Sequence, residues 1–170
     1  MQKPATLVSV EDYLRTSYEG PDREYLDGVV VERNLGEKKH SRTQRKLIGF
    51  FIGLEKTLKT FAFPEQRVQV KATRFRVPDV CVYLNREPDE EIFTQPPFLV
   101  VEILSRDDRH AETMERISDY LSFGVPYVWV IDPLATRGYI YTPDGGREAK
   151  DEMLRTENPA IEVRLRELLA

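Results

Sequence analysis

Two stretches of the sequence decide the fold: Val77-Pro78-Asp79-Val80-Cys81-Val82-Tyr83 and Phe98-Leu99-Val100-Val101-Glu102-Ile103-Leu104. Both are predicted to be short strands, and the second is apolar enough to be buried on both faces. Each contains one carboxylate, Asp79 or Glu102, where the pattern calls for an apolar residue. An ionised carboxylate is costly in apolar surroundings unless it is paired, hydrogen-bonded or bound to a metal. The two acidic residues therefore indicate a site on neighbouring strands.

Each carboxylate also has an ordinary structural explanation. Asp79 can begin a strand after the turn at Pro78, and Glu102 can pair with a buried arginine. The strand patterns by themselves leave these explanations open.

The composition is that of a soluble globular protein. The chain has 170 residues, 41% hydrophobic and 32% charged, so we expect a single domain over residues 1–170 with one sizeable core. No apolar run approaches the roughly 20 residues needed to span a bilayer, and Met1–Ser9 lacks the long apolar core of a signal peptide. The only cysteine, Cys81, cannot form an intramolecular disulfide. These features favour a reduced, cytoplasmic compartment and predict no membrane partner.

A short helix and a hairpin are predicted near the N-terminus. Ser9-Val10-Glu11-Asp12 resembles a capping box, and Gly20-Pro21 is predicted to end the helix. Two strand-like runs then flank Asp27-Gly28, a strong signal for a two-residue hairpin turn. Glu24 lies on the first of these strands, where a surface carboxylate is the ordinary interpretation.

A long amphipathic helix is predicted from about Lys38 to Lys59. Its apolar residues recur at steps of three and four. They are Leu47, Phe50, Phe51, Leu54 and Leu58. His40 lies at the start of this helix, where the ordinary interpretation is a capping or surface residue and the alternative is a catalytic one.

The middle of the chain alternates between strands and a helix. Residues 61–70 are predicted to be extended with an interruption at Pro64, and residues 73–83 are predicted to form the next strand. A helix is expected from about Ser105 to Phe123, between the Glu102 strand and the apolar run Tyr127-Val-Trp-Val-Ile131. This spacing predicts a right-handed parallel crossover between those two strands.

The C-terminal part is predicted to add short edge strands at residues 139–141 and 161–163, and Trp129 is predicted to lie in the core. No stretch matches a phosphate-binding loop, a dinucleotide fingerprint or a zinc-ligand cluster.

Two clusters of basic residues could form a local face for nucleic acid, although a net charge of -4 and a pI near 5.4 argue against binding by charge alone. The ordinary interpretation of both clusters is solvated helix and strand faces. The first contains Lys38, Lys39, Arg42, Arg45 and Lys46, and the second contains Arg67, Lys71, Arg74 and Arg76.

The acidic residues indicate a chemistry if Asp79 and Glu102 face one cavity. Two hard oxygen ligands, with the carbonyl of Ile103 as a third, suit Mg²⁺ or Mn²⁺ with waters completing the octahedron. A third carboxylate such as Glu24 could hold a second metal or orient a water molecule. Hydrolysis of a phosphodiester is the natural reaction class for such a site. A two-carboxylate glycosidase is less favoured, because the sequence shows no aromatic sugar-binding cleft.

Several motifs occur in an order that resembles a known family. They are Glu-Tyr-Leu-Asp-Gly at 24–28, His40 in the long helix, Pro-Asp-Val at 78–80, Val-Val-Glu-Ile-Leu-Ser at 100–105 and Gly-Val-Pro-Tyr-Val-Trp-Val-Ile-Asp-Pro at 124–133. From about Ser9 to Leu169 the chain resembles the Uma-type restriction-endonuclease family of the PD-(D/E)XK nuclease superfamily.

This resemblance implies an α/β (α+β) fold, restriction-endonuclease-like, in which helices flank a mixed central β-sheet. It also implies that Asp79 and Glu102 are metal ligands, that Glu24 is an additional acidic residue of the site, and that His40 lines the site from the long helix.

The chain departs from the superfamily motif at one position. That motif has a lysine two residues after the second acidic ligand, where this chain has Leu104. Members of the Uma-type group use a lysine from the following helix, and the matching position here is Arg116. Arginine can bind phosphate, but it cannot readily deprotonate to activate water. The ordinary interpretation of Arg116 is an ion pair with Glu112 or Asp119 on the helix surface.

Two functions are therefore expected from the sequence. The first is a Mg²⁺- or Mn²⁺-dependent DNA endonuclease, with Glu24, His40, Asp79, Glu102 and Arg116 in its site. The second is a catalytically reduced nuclease-fold module for DNA binding or assembly, for which Leu104, Arg116 and the acidic pI argue. The resemblance also implies a homodimer, since nucleases of this fold often cut the two-fold symmetric duplex as dimers.

Overall fold

The computed structural model describes residues 6–170, so residues 1–5 of the segment Met1–Ser9, which we predicted not to be a signal peptide, lie outside it. The elements in chain order are α1 (Val10–Arg15), β1 (Arg23–Leu26), β2 (Val29–Glu32), α2 (Lys38–Leu58), β3 (Thr60–Pro64), β4 (Val68–Lys71), β5 (Arg74–Arg76), β6 (Val80–Leu84), β7 (Leu99–Ile103), α3 (His110–Phe123), β8 (Tyr127–Asp132), β9 (Arg137–Thr142), β10 (Gly145–Glu148), β11 (Met153–Thr156), β12 (Ile161–Arg164) and α4 (Leu165–Leu169).

A six-stranded mixed sheet forms the centre of the fold, in the order β10-β9-β8-β7-β6-β3. Only the pair β7 and β8 is parallel, and α3 connects these two strands as the crossover predicted from their spacing. The other neighbours in this sheet are antiparallel. The sheet therefore confirms the predicted mixed β-sheet flanked by helices.

Side chains alternate between the two faces of the central sheet, because successive residues of a strand point in opposite directions. Val80 and Val82 of β6 pack on one face with α2, α4 and the buried Trp129. Cys81 and Tyr83 pack on the other face with α3 and β4. This division places α3 over the face that carries Glu102.

A smaller antiparallel sheet, in the order β2-β1-β5-β4, contains the predicted hairpin. Asp27 and Gly28 both have positive φ (51° and 100°), as the two-residue turn requires. At the base of this sheet the side chain of Ser9 caps α1 by accepting from the N–H of Asp12, and Tyr13 packs on Tyr25 and Phe75. The turn and the cap are confirmed, although α1 ends at Arg15.

Several predicted boundaries were wrong. The stretch 73–83 is two strands, β5 and β6, which belong to different sheets and are separated at Val77-Pro78-Asp79. The helix expected from Ser105 begins at His110. Residues 139–141 belong to β9, which lies inside the central sheet because β10 covers its other side. Residues 161–163 pair with β11 in a separate two-stranded sheet.

Among residues 6–170, none of the helices has both the length and the apolar character needed to cross a membrane.

Candidate active site

The site is built at the end of the antiparallel pair β6 and β7. Val80 pairs with Val101 and Cys81 pairs with Val100, so continuing the register by one residue puts Asp79 opposite Glu102. The backbone N–H of Ile103 donates to Oδ2 of Asp79 at 2.6 Å, which ties the residue before β6 to β7. Both carboxylates are buried. The strands thus bring together the two acidic residues that interrupt the apolar pattern.

The positive charge nearest to this pair comes from Arg33, just after the hairpin strand β2. Its Nη2 donates to Oδ1 of Asp79 at 2.7 Å and lies 3.5 Å from Oε2 of Glu102. Its Nη1 lies 3.9 Å from Oε1 of Glu24 and makes no hydrogen bond to any of residues 6–170. The ordinary explanation of Glu102, a buried arginine partner, is therefore part of the structure.

Two further side chains contact the carboxylates of Asp79 and Glu102. The hydroxyl of Tyr120 on α3 donates to Oε1 of Glu102 at 2.6 Å. Nε2 of His40 on α2 lies 3.2 Å from Oδ1 of Asp79. The ordinary interpretation of His40 as a capping or surface residue was wrong, because its side chain points inward from the first turn of α2 and is buried beside Asp79.

Glu24 is the third buried carboxylate, and its interpretation as a surface residue was wrong. It is 1% exposed. Its Oε2 accepts from Nη1 of Arg76 at 2.8 Å, and its Oε1 accepts from the backbone N–H of Val77 at 3.1 Å. Glu24 is buried because β1 pairs with β5. This pairing places Glu24 next to Val77, in the break between β5 and β6 that precedes Asp79.

Arg116 reaches the same cluster from α3. Its Nε lies 3.6 Å from Oε2 of Glu24, and its Nη1 lies 3.6 Å from Oδ1 of Asp108. It is 8% exposed, so the interpretation as a surface ion pair with Glu112 or Asp119 was wrong. Leu104, at the superfamily's lysine position, packs against the apolar cluster on the α3 face of the sheet.

Part of the second basic cluster is not a nucleic-acid face. Arg76 is buried and donates to both Glu24 and Asp119. Arg74 donates to Asp119 and to Asp27 in the hairpin turn. These arginines are paired with carboxylates of the protein itself, so their charge is not available to a phosphate backbone.

The charges and the burial of the cluster shift the pKa values of its carboxylates in different directions. Burial alone would raise the pKa of Glu24, but Arg116, Arg33 and Arg76 outweigh it and the pKa is lowered. Burial would likewise raise the pKa of Asp79, but Arg33, His40 and the N–H of Ile103 lower it.

Glu102 behaves in the opposite way. Burial, reinforced by the negative charge of Asp79, outweighs Arg33 and raises the pKa of Glu102 to about 7. Burial would lower the pKa of His40, but the carboxylate of Asp79 reverses this and raises it. The pKa of Glu102 is thus raised, while the pKa of its neighbour Asp79 is lowered.

The oxygen atoms of the cluster offer few ligands to a metal ion. Among residues 6–170, no three side chains of His, Cys, Asp or Glu are grouped to hold one. However, Asp79 Oδ1 and Glu102 Oε2 approach the same nitrogen of Arg33, so two hard oxygens already face one positive centre. This set fits a single Mg²⁺ or Mn²⁺ that keeps several waters. Ile103 contacts Asp79 through its N–H, and its carbonyl as a ligand stays a prediction.

A cavity of about 310 Å³ opens beside the cluster. Its wall includes the side chains of Arg33, His40 and Asp79, together with the loop Gly20-Pro21-Asp22. Of the charged groups at the metal-ligand pair, Arg33 is the more exposed, with 12% of its side chain exposed against 3% for Asp79 and for Glu102.

Sequence reasoning missed Arg33, Arg76, Asp119 and Tyr120 as members of this network. One signal could have found the arginines. Three buried carboxylates need counter-charges, and Arg33 and Arg76 lie next to the acidic segments in the sequence.

A mixed sheet flanked by helices, with buried carboxylates at the end of an antiparallel strand pair, is the architecture of restriction-endonuclease-like proteins. The chain belongs to the Uma2 family, described as "Putative restriction endonuclease", which matches residues 10–168. The predicted family is thereby confirmed.

A solved structure supports the same fold. It is the crystal structure of "a putative nuclease belonging to DUF820" from Anabaena variabilis ATCC 29413, with 23% sequence identity and a TM-score of 0.82. The match covers 95% of this chain and 97% of that chain. A search of curated proteins finds no match.

Proposed function

We propose that this protein is a metal-dependent DNA endonuclease that hydrolyses phosphodiester bonds. In this reaction water adds to phosphorus as one P–O ester bond breaks. The observation that carries the proposal is the convergence of Asp79 Oδ1 and Glu102 Oε2 on one cationic nitrogen, at 2.7 and 3.5 Å. Membership of the Uma2 family supports the reaction class.

Asp79 and Glu102 would hold the divalent cation, with the carbonyl of Ile103 as the third ligand. When bound, Mg²⁺ or Mn²⁺ supplies charge that stabilises the transition state and lowers the pKa of a water molecule. Tyr120 and the N–H of Ile103 each hold the far oxygen of one carboxylate. The near oxygens are thereby oriented toward the centre of the site.

The other residues have roles that follow from their charge. Arg116 is a permanent cation that can stabilise negative charge on a phosphate, but it cannot serve as a base. Glu24 stays ionised because its pKa is lowered, so it can accept a hydrogen bond from a water molecule. His40 orients Asp79 and can carry a proton at Nε2.

The test is DNA cleavage by isosteric variants. Purified protein is incubated with supercoiled and single-stranded DNA in Mg²⁺, in Mn²⁺ and in EDTA. Asp79→Asn and Glu102→Gln are compared with Glu112→Gln, which alters an exposed carboxylate on α3. We expect cleavage that requires metal, is lost in the first two variants and is retained in the third.

Two outcomes would overturn the proposal. Cleavage that persists in Asp79→Asn and Glu102→Gln would assign the activity to a contaminant. Absence of cleavage by the wild-type protein on plasmid, genomic and single-stranded DNA would favour the second candidate below.

The second candidate is a catalytically reduced nuclease-fold module that binds DNA or a partner. A specific observation favours it: Arg33 neutralises the two carboxylates that a metal would need. Leu104 in place of the superfamily lysine points the same way. DNA binding that is unchanged by EDTA, without any cleavage, would support this candidate.

We also propose that residues 1–170 form a single domain, that the protein works in the cytoplasm, and that it acts as a homodimer. Light scattering coupled to size-exclusion chromatography tests the last point. A mass of twice 19.8 kDa is expected, and a monomer at all concentrations would contradict it.

A further inference from the structure

Arg33 uses the two oxygen atoms that a divalent cation would need. We propose that Arg33 and the cation compete for Asp79 and Glu102, so that cation binding requires the guanidinium to leave the cluster. This inference rests on the proposed function, because it assumes that these two carboxylates form the metal site. It assigns to Arg33 the control of metal occupancy.

The competition follows from how the carboxylate oxygens are used. Oδ2 of Asp79 already accepts from the N–H of Ile103, and Oε1 of Glu102 accepts from Tyr120. The remaining oxygens, Oδ1 and Oε2, are those that face Arg33. A Mg²⁺ ion binds oxygen at about 2.1 Å, and it would have to take the place of Nη2.

Arg33 is also the counter-charge nearest to both proposed ligands. Its Nη2 lies 2.7 Å from Oδ1 of Asp79 and 3.5 Å from Oε2 of Glu102. The other arginines of the cluster, Arg76 and Arg116, are paired with Glu24, Asp119 and Asp108. A divalent cation placed beside the guanidinium of Arg33 would be repelled by it in a buried place, and departure of that guanidinium removes the repulsion.

Among Arg33, Arg76 and Arg116, Arg33 is the arginine whose side chain is best placed to move. It lies in the segment of residues 33–37, which is neither helix nor strand, between β2 and α2. Its side chain is 12% exposed and lines the cavity of about 310 Å³, into which it can turn. Arg76, by contrast, lies within the strand β5 and is buried.

The backbone would not need to rearrange. The N–H of Arg33 donates to the carbonyl of Asp22 at 2.9 Å. Rotation of the side chain about its own bonds moves the guanidinium into the cavity while this tether stays in place. After such a rotation the positive charge would lie in the space through which a phosphate approaches.

The test is Mn²⁺ binding measured by calorimetry on the full chain, without DNA. Arg33→Gln is compared with wild type and with Arg116→Gln, which removes an equal charge from the same cluster. Arg116 makes no hydrogen bond to Asp79 or Glu102 within the described residues, so it controls for charge alone. Asp79→Asn, which removes a proposed ligand, completes the set.

We expect Arg33→Gln to bind Mn²⁺ at least about tenfold more tightly than wild type, because the apparent affinity rises when a competing occupied state is removed. Arg116→Gln should bind clearly less tightly than Arg33→Gln. In EDTA, Arg33→Gln should have a lower Tm than wild type, since two buried carboxylates lose their partner, and Mn²⁺ should raise its Tm more.

The outcomes separate this inference from the proposed function. If Arg33→Gln binds no more tightly than wild type while Asp79→Asn abolishes binding, the metal site survives and the competition is refuted. If Arg116→Gln improves binding as much as Arg33→Gln, the effect is one of charge alone and the competition is again refuted. If no protein binds Mn²⁺, both the metal site and the competition fail.

A second measurement does not depend on a variant that folds. A crystal structure of the wild-type protein with Mn²⁺, located by its anomalous signal, should show the ion between Asp79 and Glu102 and the guanidinium of Arg33 in the cavity. A bound ion with Nη2 of Arg33 still at hydrogen-bond distance from both carboxylates would overturn the proposal.

Discussion

The hydroxyl of Tyr120 lies 2.6 Å from Oε1 of Glu102, and both side chains are buried between α3 and the central sheet. This is the contact through which the crossover helix supports the acidic cluster. Water cannot reach the carboxylate from this side, so the phenol supplies a donor that solvent cannot replace.

We therefore expect Tyr120→Phe to lower the free energy of unfolding by about 1–3 kcal/mol, the cost of leaving a buried acceptor without its donor. Urea unfolding of the metal-free protein measures the change. Tyr127→Phe is the matched control, because its hydroxyl bonds to the backbone of Glu157 near the surface, where water can substitute. An equal or larger loss in Tyr127→Phe would contradict the prediction.

Glu24 makes the stability depend on pH in the acid range. Its pKa is lowered in the folded state because Arg116, Arg33 and Arg76 outweigh its burial. A group of this kind contributes stability above its unfolded pKa, and the contribution is lost as the pH falls through the lower folded pKa.

Glu24→Gln should therefore be destabilised at pH 7 by about 3 kcal/mol, as when a buried ion pair loses one partner. The difference in the free energy of unfolding between Glu24→Gln and wild type should become smaller as the pH falls below about 4.3, the ordinary pKa of a glutamate. Unfolding curves at several pH values check this. Glu162→Gln, an exposed carboxylate on β12, should show a small difference throughout. If the loss of unfolding free energy in Glu24→Gln stayed constant with pH, the lowered pKa of Glu24 would be refuted.

The thiol of Cys81 should be unreactive in the native protein. The side chain is fully buried in the core on the α3 face, and burial raises the pKa of the thiol, so little thiolate forms and reagents cannot reach it. Labelling with a thiol-specific dye should be negligible in buffer and complete in denaturant. Ser122→Cys adds an exposed cysteine on α3 as a positive control. Rapid labelling of the wild type would contradict the packing of β6.

Leu47 joins α2 to the central sheet and is fully buried. Leu47→Ala should cost about 2–5 kcal/mol of unfolding free energy, because the deletion leaves a cavity in a packed core. Ile52→Ala, on the same helix but 58% exposed, should cost much less. Thermal or urea unfolding compares the two variants, and equal losses would be inconsistent with the observed burial of this helix.

Local signals were sufficient for the N-terminal hairpin, the long helix α2 and the strands β7 and β8, but not for the break that divides residues 73–83 into β5 and β6. The turn at Asp27-Gly28 depends on two residues that tolerate positive φ, and the amphipathic stripe of α2 depends on spacings of three and four. The buried run of β7 and the crossover to β8 also follow from short patterns of apolar residues.

The partners of the charged residues could not be predicted in this way. Arg33 is separated by 46 residues from Asp79 and by 69 from Glu102, and Glu24 is separated by 52 from Arg76. Nothing in the neighbouring sequence marks Glu24 as buried, because its strand would look the same on a surface hairpin. Only the pairing of β1 with β5 carries it inward.

The sequence by itself therefore determined the hairpin, the long helix, the crossover between β7 and β8, and the two carboxylates that interrupt an apolar pattern, since these depend on neighbours a few residues away. The tertiary structure alone decided that these carboxylates lie opposite each other, that Glu24 joins them, and that Arg33 stands between them. The physical reason is that charge pairing depends on the distance in space between side chains, and the packing of whole sheets and helices sets that distance.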